Sequence, residues 1–383
     1  MSASRQRSQV SCPGSLSCLV AARLRVGIVG GGIIGCASAF ELARRGADVT
    51  VFDSRSPGGG ATQASAGILA PYIEGHHGGP LLELGVRGLA IYDDFVKRVR
   101  EAAATPFEYR RSGTIEIPEH QERAEVLKAI AEGPVGNAGE MEWLDASRLQ
   151  AAEPAIRPAE FGGLLCRAHA HVAVMPFVSA LVHAADRHGA AFRTGVSVSG
   201  ISLESGRCLV ETDGGPHAFD RIVLSAGSWS SLLDPLDEIR GAIKPIRGQL
   251  VVLAWTGQRL HHVLWGTACY IVPWEDGTLL VGATSEDVGF DERPTVEGVT
   301  GLLAAAAGLL RDVGRATFEG ARVGLRPASR DGLPFIRPSA LDSRVFYATG
   351  HFRNGVLLAP LTADLVANYL LEGQQDPAFQ NGA

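Results

Sequence analysis

The chain contains the stretch Arg25-Val-Gly-Ile-Val-Gly-Gly-Gly-Ile-Ile-Gly35, and Val49-Thr-Val-Phe-Asp53 follows it. Together they predict a buried strand, a glycine turn, a helix and a second strand that ends in an acid. Gly30 allows the tight turn, Gly32 lets backbone amides approach a pyrophosphate, and Gly35 lets the helix pack closely against the strand. This G-x-G-x-x-G pattern in its strand–helix–strand context predicts a dinucleotide-binding unit.

Asp53 ends the second strand of this unit, about 20 residues after the glycines. A carboxylate at this point accepts hydrogen bonds from an adenosine ribose and would repel a 2′-phosphate, so NADP is disfavoured. The N-terminus of the intervening helix offers N–H groups and partial positive charge to the phosphates. We therefore add the neighbouring Ile33, Ile34 and Ser54 to the candidate cofactor contacts.

Composition excludes several classes of protein. The 383 residues are enough for two structural units, and 46% hydrophobic with 20% charged residues is ordinary for a globular chain. The net charge of −6 argues against nucleic acid as a partner. No apolar run reaches the ~18 residues that span a bilayer, so we expect no stable membrane insertion. Six cysteines without C-x-x-C spacing argue against a metal site and against a disulfide framework, and favour the cytoplasm.

Residues 1–22 precede the first predicted strand and do not resemble a targeting segment. Their apolar patch is shorter than the core of a signal peptide, and the fold begins almost at once after it. Pro13 and Gly14 would break an amphipathic transit helix. We expect a disordered extension, or a start codon that was assigned too early.

The rest of the pattern predicts a domain that the chain leaves and re-enters. Elements of the βα type recur at Arg221–Trp229 and at Val345–Gly355, whereas antiparallel strands are expected at Gly248–Leu253 and Thr278–Ala283. We predict an α/β fold in which a Rossmann-like cofactor domain is interrupted by a discontinuous antiparallel-sheet substrate domain of the α+β type. The predicted ranges are 23–80, 160–235 and 320–375 for the cofactor domain, and 81–159 and 236–319 for the substrate domain.

A loop of small residues, Gly58–Gly67, follows the first unit. Small side chains let a backbone approach a ligand closely, so the loop is a candidate second cofactor contact; the alternative is a plain flexible loop. Its candidate contacts are Ala64, Ser65, Ala66 and Gly67.

Several segments together resemble the D-amino-acid oxidase family of FAD enzymes, and within it the glycine-oxidase branch of the ThiO type. The more discriminating pair is Gly324-Leu-Arg-Pro327 and Gly350-His-Phe-Arg-Asn-Gly355, because the glycine pattern also occurs in many unrelated dehydrogenases. The other matching segments are Ala64–Leu69, Leu224–Ser230, Pro245–Gln249 and Cys269–Pro273. The resemblance extends from about Leu24 to Leu371.

The resemblance implies noncovalently bound FAD in the Rossmann-like domain. Its ADP half would be held by Gly30, Gly32, Gly35 and Asp53, and its pyrophosphate and isoalloxazine ring would follow residues 64–67. Val196 would meet the adenine, and the turn Ala226-Gly227 would lie beside the cofactor. The last helix would begin near the flavin pyrimidine, with contacts from His351, Arg353, Asn354, Gly355, Val356 and Leu357.

The same resemblance implies a carboxylate site. Arg326 matches an arginine that binds the substrate carboxylate, Tyr270 matches a tyrosine at the same carboxylate, and Arg353 matches a second pocket residue. A planar carboxylate in a dry pocket suits a bidentate guanidinium. The alternatives are a salt bridge or a packing role for Arg326, half-buried core for Tyr270, and a bond to a backbone carbonyl for Arg353.

Two further features concern the chemistry of this site. The family transfers hydride directly from a neutral amine, so it implies no dedicated base at His351 or at the pair His261-His262. The chain also has Ala268 and Ser285 where some relatives carry histidine and methionine. Both differences would enlarge the pocket if these residues line it, which leaves room for sarcosine or other small amines.

The function that the resemblance implies is oxidation of glycine or a similar small amine, including sarcosine and small D-amino acids, to the imine. O₂ would be reduced to H₂O₂, and the imine would serve thiazole assembly in thiamin synthesis or hydrolyse to glyoxylate. One alternative is a dehydrogenase of the same fold that passes electrons to a quinone or carrier. Another is a tRNA-modifying flavoprotein, against which the net charge counts. Relatives also suggest a homo-oligomer.

Overall fold

The structure is a computed structural model that describes residues 23–74 and 78–380, so the expectation for residues 1–22 lies outside the described residues. Within them the strands are β1 (Arg25–Val29), β2 (Asp48–Asp53), β3 (Ile68–Leu69), β4 (Tyr109–Arg110), β5 (Thr114–Glu116), β6 (Met141–Leu144), β7 (Gly163–Cys166), β8 (Ala170–Val172), β9 (Ala191–Thr194), β10 (Val198–Glu204), β11 (Arg207–Thr212), β12 (Gly215–Phe219), β13 (Arg221–Leu224), β14 (Ile243–Ala254), β15 (Val263–Trp265), β16 (Tyr270–Pro273), β17 (Thr278–Gly282), β18 (Thr317–Ser329), β19 (Phe335–Pro338) and β20 (Val345–Thr349). The helices are α1 (Ile33–Arg44), α2 (Pro71–Glu74), α3 (Pro80–Ala90), α4 (Tyr92–Ala102), α5 (Gln121–Glu132), α6 (Pro134–Ala138), α7 (Ala146–Ala152), α8 (Val174–Arg187), α9 (Ser230–Leu233), α10 (Val296–Leu309) and α11 (Gly355–Glu372).

The first of the two large sheets has six strands, in the order β19-β20-β13-β1-β2-β9. Its pairs are parallel except for β19 with β20. The buried side chains of Val26 and Val49 pack on one face with helices α1, α8 and α11. Phe52 and Leu224 pack on the other face with the antiparallel strands β10, β11 and β12. Helices on one face of a largely parallel sheet confirm the predicted α/β Rossmann-like fold.

The second large sheet has eight strands, in the order β18-β14-β17-β16-β15-β5-β7-β6. It is antiparallel except where β15 pairs with β5. Helix α10 covers one face through Leu302 and Ala306, which pack on Val251 and Val281. On the other face Leu250 packs with Ala66, a residue of the small-residue loop. The face of this sheet that is not covered by α10, here called its inner face, is therefore turned towards the small-residue loop Gly58–Gly67.

The structure bears on the predicted domain ranges at three places, and elsewhere those ranges stay a prediction. β7 was predicted within the cofactor domain, but it pairs with β5 and β6 in the eight-stranded sheet. β18 crosses the predicted boundary at residue 320 and belongs to the same sheet. Helices α3 and α4 were predicted with the substrate domain, but their buried faces pack in the core with α1 and α11. Which sheet or core an element joins depends on contacts between distant parts of the chain, and the local sequence pattern does not report these contacts.

Helix α11 bears on the expectation that the chain has no segment able to cross a membrane. By length and composition it is apolar enough to cross a bilayer, although it includes Asp364 and Glu372. Of its 18 residues, 61% are buried inside the protein, as in the core helix of a globular fold. Such a helix is weak evidence for a membrane span.

His171 on β8 gives a testable effect of pH on stability. Its side chain is fully buried beside Trp274, with Nδ1 within 3.1 Å of Ser112 Oγ. Burial, and then the charge of Arg110, lower the pKa of His171 from 6.5 to about 4. Between these values the unfolded chain binds a proton that the native chain does not, so stability falls as the pH falls from 6.5 to about 4. For His171→Gln we expect this fall to be shallower by about 1.4 kcal/mol per pH unit in denaturant unfolding. Parallel curves for the two proteins would contradict the prediction.

Candidate active site

One cavity of about 630 Å³ lies between the carboxyl ends of β1, β2, β13 and β20 and the inner face of the eight-stranded sheet. The sequence-predicted residues that line it are Gly30, Gly32, Ile33, Ile34, Asp53, Ser54, Ala64, Ser65, Ala66, Gly67, Val196, Ala226, Gly227, Tyr270, Arg326, His351, Arg353, Asn354, Gly355 and Val356. Gly35 and Leu357 do not line it. Ligands of parallel α/β sheets bind at this edge, where the strands end.

The glycine turn after β1 gives the cavity a wall of backbone. Gly30 has φ +107°, and a Cβ atom there would lie 2.3 Å from the carbonyl oxygen of Ser225. A Cβ atom on Gly35 would lie 1.9 Å from the carbonyl oxygen of Gly30, so this residue sets the close packing of α1 without touching the cavity. Asp53 Oδ2 accepts the N–H of Gly31 at 2.7 Å, which holds the carboxylate at the entrance of the turn. A diphosphate can approach such a wall closely because few side chains intervene.

The small-residue loop is held against strand β18. Gln63 Nε2 donates to the carbonyl of Val323 at 2.6 Å. A Cβ atom on Gly324 would lie only 2.9 Å from Cα of Ala61, so glycine at 324 allows the contact. Thr62 Oγ1 accepts the N–H of Ile33 at 3.1 Å and so caps the first turn of α1. These contacts hold the middle of the loop, at Ala61, Thr62 and Gln63, which argues against the plain flexible loop.

Arg326 on β18 and Tyr270 on β16 each lie over a glycine of the neighbouring strand, β14 or β17, and these four strands are consecutive in the sheet. A Cβ atom on Gly248 of β14 would lie 2.3 Å from the guanidinium carbon of Arg326. A Cβ atom on Gly282 of β17 would lie 2.5 Å from the hydroxyl of Tyr270. Arg326 Nη1 also donates to the carbonyl of Thr284 at 2.9 Å. The two glycines form a floor, and the guanidinium and the phenol lie flat on it inside the cavity.

The turn before α11 closes the opposite side of the cavity. Phe352 N–H donates to the carbonyl of Pro327 at 2.9 Å, which ties this turn to β18. Arg353 is exposed, with its guanidinium carbon 5.2 Å from the centre of the Phe352 ring, so it lines the mouth of the cavity. His351 is buried, with Nε2 within 3.0 Å of Thr362 Oγ1. Burial lowers the pKa of His351 to about 3, so it is neutral at physiological pH.

The other candidate histidines have a structural role. His261 and His262 do not line the cavity. Their backbone N–H groups donate to Oε1 of the buried Glu153 at 2.8 and 2.7 Å, and His262 Nδ1 lies 2.7 Å from the same oxygen. This arrangement anchors the loop before β15 and supplies no acid or base to the cavity.

Several cavity residues were not found by sequence reasoning. Trp265 packs against Tyr270 with ring centres 5.4 Å apart, and both line the cavity. Arg55 and Trp229 line it near Asp53, with the Arg55 guanidinium carbon 5.1 Å from the centre of the Trp229 ring. No local pattern marks these residues, since their contacts join distant parts of the chain. Of the two substituted positions, Ala268 lines the cavity, whereas Ser285 is exposed and does not.

A loop from the eight-stranded sheet reaches over the Asp53 end of the cavity. Glu292 accepts two hydrogen bonds from Arg55, at 2.9 and 2.6 Å. Phe290 packs on Trp229 with ring centres 5.4 Å apart. Because Arg55 and Trp229 both line the cavity, this pair of contacts orders the wall where the adenosine half of a dinucleotide would lie.

Comparisons with known proteins agree with this geometry. Residues 25–369 match the family described as FAD dependent oxidoreductase, DAO. Glycine oxidase of Geobacillus kaustophilus is 32% identical over 359 residues, which cover 93% of this chain and 95% of that enzyme. The crystal structure of glycine oxidase from Geobacillus kaustophilus matches with a TM-score of 0.86 at 31% identity, covering 92% of this chain and 96% of that one. The bifunctional protein ThiO/ThiG of Synechocystis sp. is 34% identical, over 91% of this chain and 52% of that longer protein.

The contact between Glu292 and Arg55 can be tested through cofactor affinity. For Glu292→Gln we expect FAD to dissociate up to about fivefold more readily, the range for a partly exposed ion pair. The measurement is the Kd of FAD for the apoprotein, from flavin fluorescence. Glu297→Gln is the matched control, because Glu297 is an exposed acid in the first turn of α10 and does not line the cavity. Equal affinities for all three proteins would show that the loop does not order the adenosine end.

Proposed function

The chain belongs to the DAO family of FAD-dependent oxidoreductases, and we propose that it oxidises glycine or a similar small amine to the imine. Sarcosine and small D-amino acids belong to the same substrate class. For glycine the reaction removes two electrons and two protons from the C–N unit and transfers them to O₂, which leaves as H₂O₂. The observation that carries the proposal is that Arg326 and Tyr270 share a glycine floor in the cavity that also contains the dinucleotide-type turn.

The residues that line the cavity fit FAD. Gly30, Gly32 and Asp53 at one end would hold the ADP half, and Val196 would face the adenine. Towards the other end the cavity is lined by residues 64–67 and by the first turn of α11, where the isoalloxazine ring would lie. FAD supplies the two-electron acceptor for the hydride that leaves the substrate. The N-terminus of α11 contributes N–H groups and partial positive charge, which favour negative charge at that end of the site.

Arg326 would bind the substrate carboxylate. Its guanidinium is planar and permanently charged, and it can donate two parallel hydrogen bonds to a carboxylate. The bond from Nη1 to the Thr284 carbonyl restricts rotation of the guanidinium over Gly248. Tyr270 would add a hydroxyl donor to the same carboxylate. A substrate anchored in this way has its carboxylate fixed, which leaves its Cα–H free to face the electron acceptor.

The site needs no protein base for this reaction. The amine must be neutral when the hydride leaves, because its lone pair forms the new C=N bond. His351 is neutral and bound to Thr362, and His261 and His262 lie outside the cavity. The ionisation that limits the reaction at low pH therefore belongs to the substrate amine. Arg353 at the cavity mouth would attract the substrate anion.

The imine product and the cellular setting complete the proposal. The imine would feed thiazole assembly in thiamin synthesis or hydrolyse to glyoxylate, and similarity to the ThiO/ThiG protein supports the first route. We propose a cytoplasmic enzyme, because its described cysteines are free and form no disulfide, as suits a reducing compartment. Exposed apolar side chains at Val296 and Phe318 would suit a homo-oligomer.

Replacing Arg326 tests the proposed carboxylate site. For Arg326→Leu we expect the KM for glycine or sarcosine to rise roughly 10- to 100-fold, the range for a lost hydrogen bond to a charged group. FAD content should stay unchanged, because Arg326 is proposed to hold the substrate and none of the proposed ADP contacts is altered. Steady-state H₂O₂ production together with the flavin absorbance of the purified protein gives both quantities.

Arg322→Leu is the matched control for this substitution. Arg322 lies on the same strand, four residues before Arg326, and does not line the cavity. Its substitution should leave KM within twofold of the wild-type value, about the scatter of surface substitutions. An unchanged KM in Arg326→Leu, or an equal rise in both variants, would sink the carboxylate assignment.

A further inference from the structure

A polar network lies beside Arg326, where β14 of the eight-stranded sheet meets the segment that follows β17. Its members, here called the Glu286 network, are Arg247, Gln249, Thr284, Glu286 and Thr295. Gln249 is fully buried and Arg247 is 4% exposed. The next residues of β14, Leu250 and Val251, are fully buried and apolar. Burying the polar side chains of Arg247 and Gln249 costs desolvation energy, and apolar residues often stabilise a fold equally well, so these side chains call for a role other than stability.

The Glu286 network fixes the peptide that orients Arg326. The N–H of Thr284 donates to the carbonyl of Gln249 at 3.1 Å, and the N–H of Gln249 donates to Thr284 Oγ1 at 2.9 Å. Thr284 Oγ1 in turn donates to Glu286 Oε1 at 2.5 Å. The carbonyl of this same Thr284 accepts the hydrogen bond from Arg326 Nη1. Thr284 is thus held through its backbone N–H and its hydroxyl. These bonds fix the orientation of its peptide, so its carbonyl points towards Arg326.

Glu286 joins the strands around this peptide. Its Oε1 also accepts from Gln249 Nε2 at 2.7 Å, and its Oε2 accepts from Arg247 Nε at 3.1 Å. The backbones of Glu286 and Arg247 exchange two hydrogen bonds, of 2.8 and 2.9 Å. Burial raises the pKa of Glu286, but hydrogen bonds from Arg247, Thr284 and Gln249 outweigh it, so the net pKa is lowered. The carboxylate is therefore charged at neutral pH and accepts at both oxygens.

We infer that Glu286 is a positioning residue for Arg326: it holds Thr284 so that the Thr284 carbonyl keeps the guanidinium flat over Gly248. This inference rests on the proposed function, in which Arg326 binds the substrate carboxylate. A bidentate pair tolerates little rotation of the guanidinium plane, so looseness at Thr284 weakens substrate binding without changing the chemical step. Gly248 provides the space, and the Glu286 network provides the direction.

The test is Glu286→Gln, assayed by separating KM from kcat. Glutamine keeps the shape of the side chain, but it is neutral and has one acceptor oxygen instead of two. Either Arg247 or the pair Thr284 and Gln249 therefore loses its acceptor, and the bonds that remain are no longer to a charged group. We expect KM for glycine or sarcosine to rise about tenfold, a loss of about 1.4 kcal/mol, with kcat within threefold and FAD content unchanged. In the Arg326→Leu background the same substitution should change KM by less than twofold, because the group that Glu286 positions is absent.

Two further variants accompany this test. Thr284→Val removes the hydroxyl link to Glu286 with little change in shape, and it should raise KM in the same way if Glu286→Gln fails to fold. Glu297→Gln, an exposed acid outside the Glu286 network, should leave KM unchanged. Equal losses in the wild-type and Arg326→Leu backgrounds, or a fall in kcat together with loss of FAD, would overturn the inference and leave Glu286 a purely structural residue.

A non-reacting carboxylate separates failure of this inference from failure of the proposed function. Glycolate binding, followed through the flavin spectrum, should weaken about tenfold in Glu286→Gln and only where Arg326 is present. If the wild-type protein oxidises neither glycine nor sarcosine but shows this pattern with glycolate, the substrate proposal fails and the positioning role stands. If glycolate binds wild type and Glu286→Gln equally, or binds neither, the positioning role is wrong.

Discussion

The structure depends on the close contact between strand β18 and the loops of the cofactor domain. β18 is the edge strand of the eight-stranded sheet, yet the 3₁₀ turn Ala61–Ala64 packs on it, and the turn before α11 bonds to its far end. Gly324 makes the first contact possible, because any side chain there would meet the backbone of Ala61. Two residues later on the same strand, Arg326 reaches the cavity. One strand therefore joins the two sheets and sets the distance between the dinucleotide turn and the guanidinium.

The two ends of the cavity use different kinds of surface. Around the glycine turn and residues 64–67 the wall is mainly backbone and small side chains, which suits a diphosphate that must approach N–H groups. In another part of the cavity two long side chains, Arg326 and Tyr270, lie on a floor of two glycines. Small amine substrates offer little surface to bury, so an enzyme of this kind depends on one well-oriented charged contact. The Glu286 network is understandable as the support for that contact.

The sequence was sufficient for features that are local. The βαβ unit, the acid at its end and the final apolar helix follow from glycine spacing and hydrophobic periodicity, and the structure has all three. Arg55 and Trp229 were missed because their partners Glu292 and Phe290 lie far away along the chain. The sequence left open whether Ser285 lines the pocket, and it does not: side chains alternate along an extended segment, and its neighbours Thr284 and Glu286 both turn into the polar network. The predicted boundary at residue 320 falls inside β18, and nothing in the local sequence marks this strand as part of the eight-stranded sheet.

The most direct test of the account is anaerobic reduction of the bound flavin. The purified protein is mixed without oxygen with glycine, sarcosine, D-alanine or D-proline, and the visible flavin absorbance is followed; air is then admitted. The account predicts rapid bleaching by glycine or sarcosine, and reoxidation by air much faster than that of free reduced flavin. A protein that binds FAD but is bleached by none of these amines would contradict the proposed substrate class. Bleaching followed by slow reoxidation would instead indicate a dehydrogenase that uses another electron acceptor.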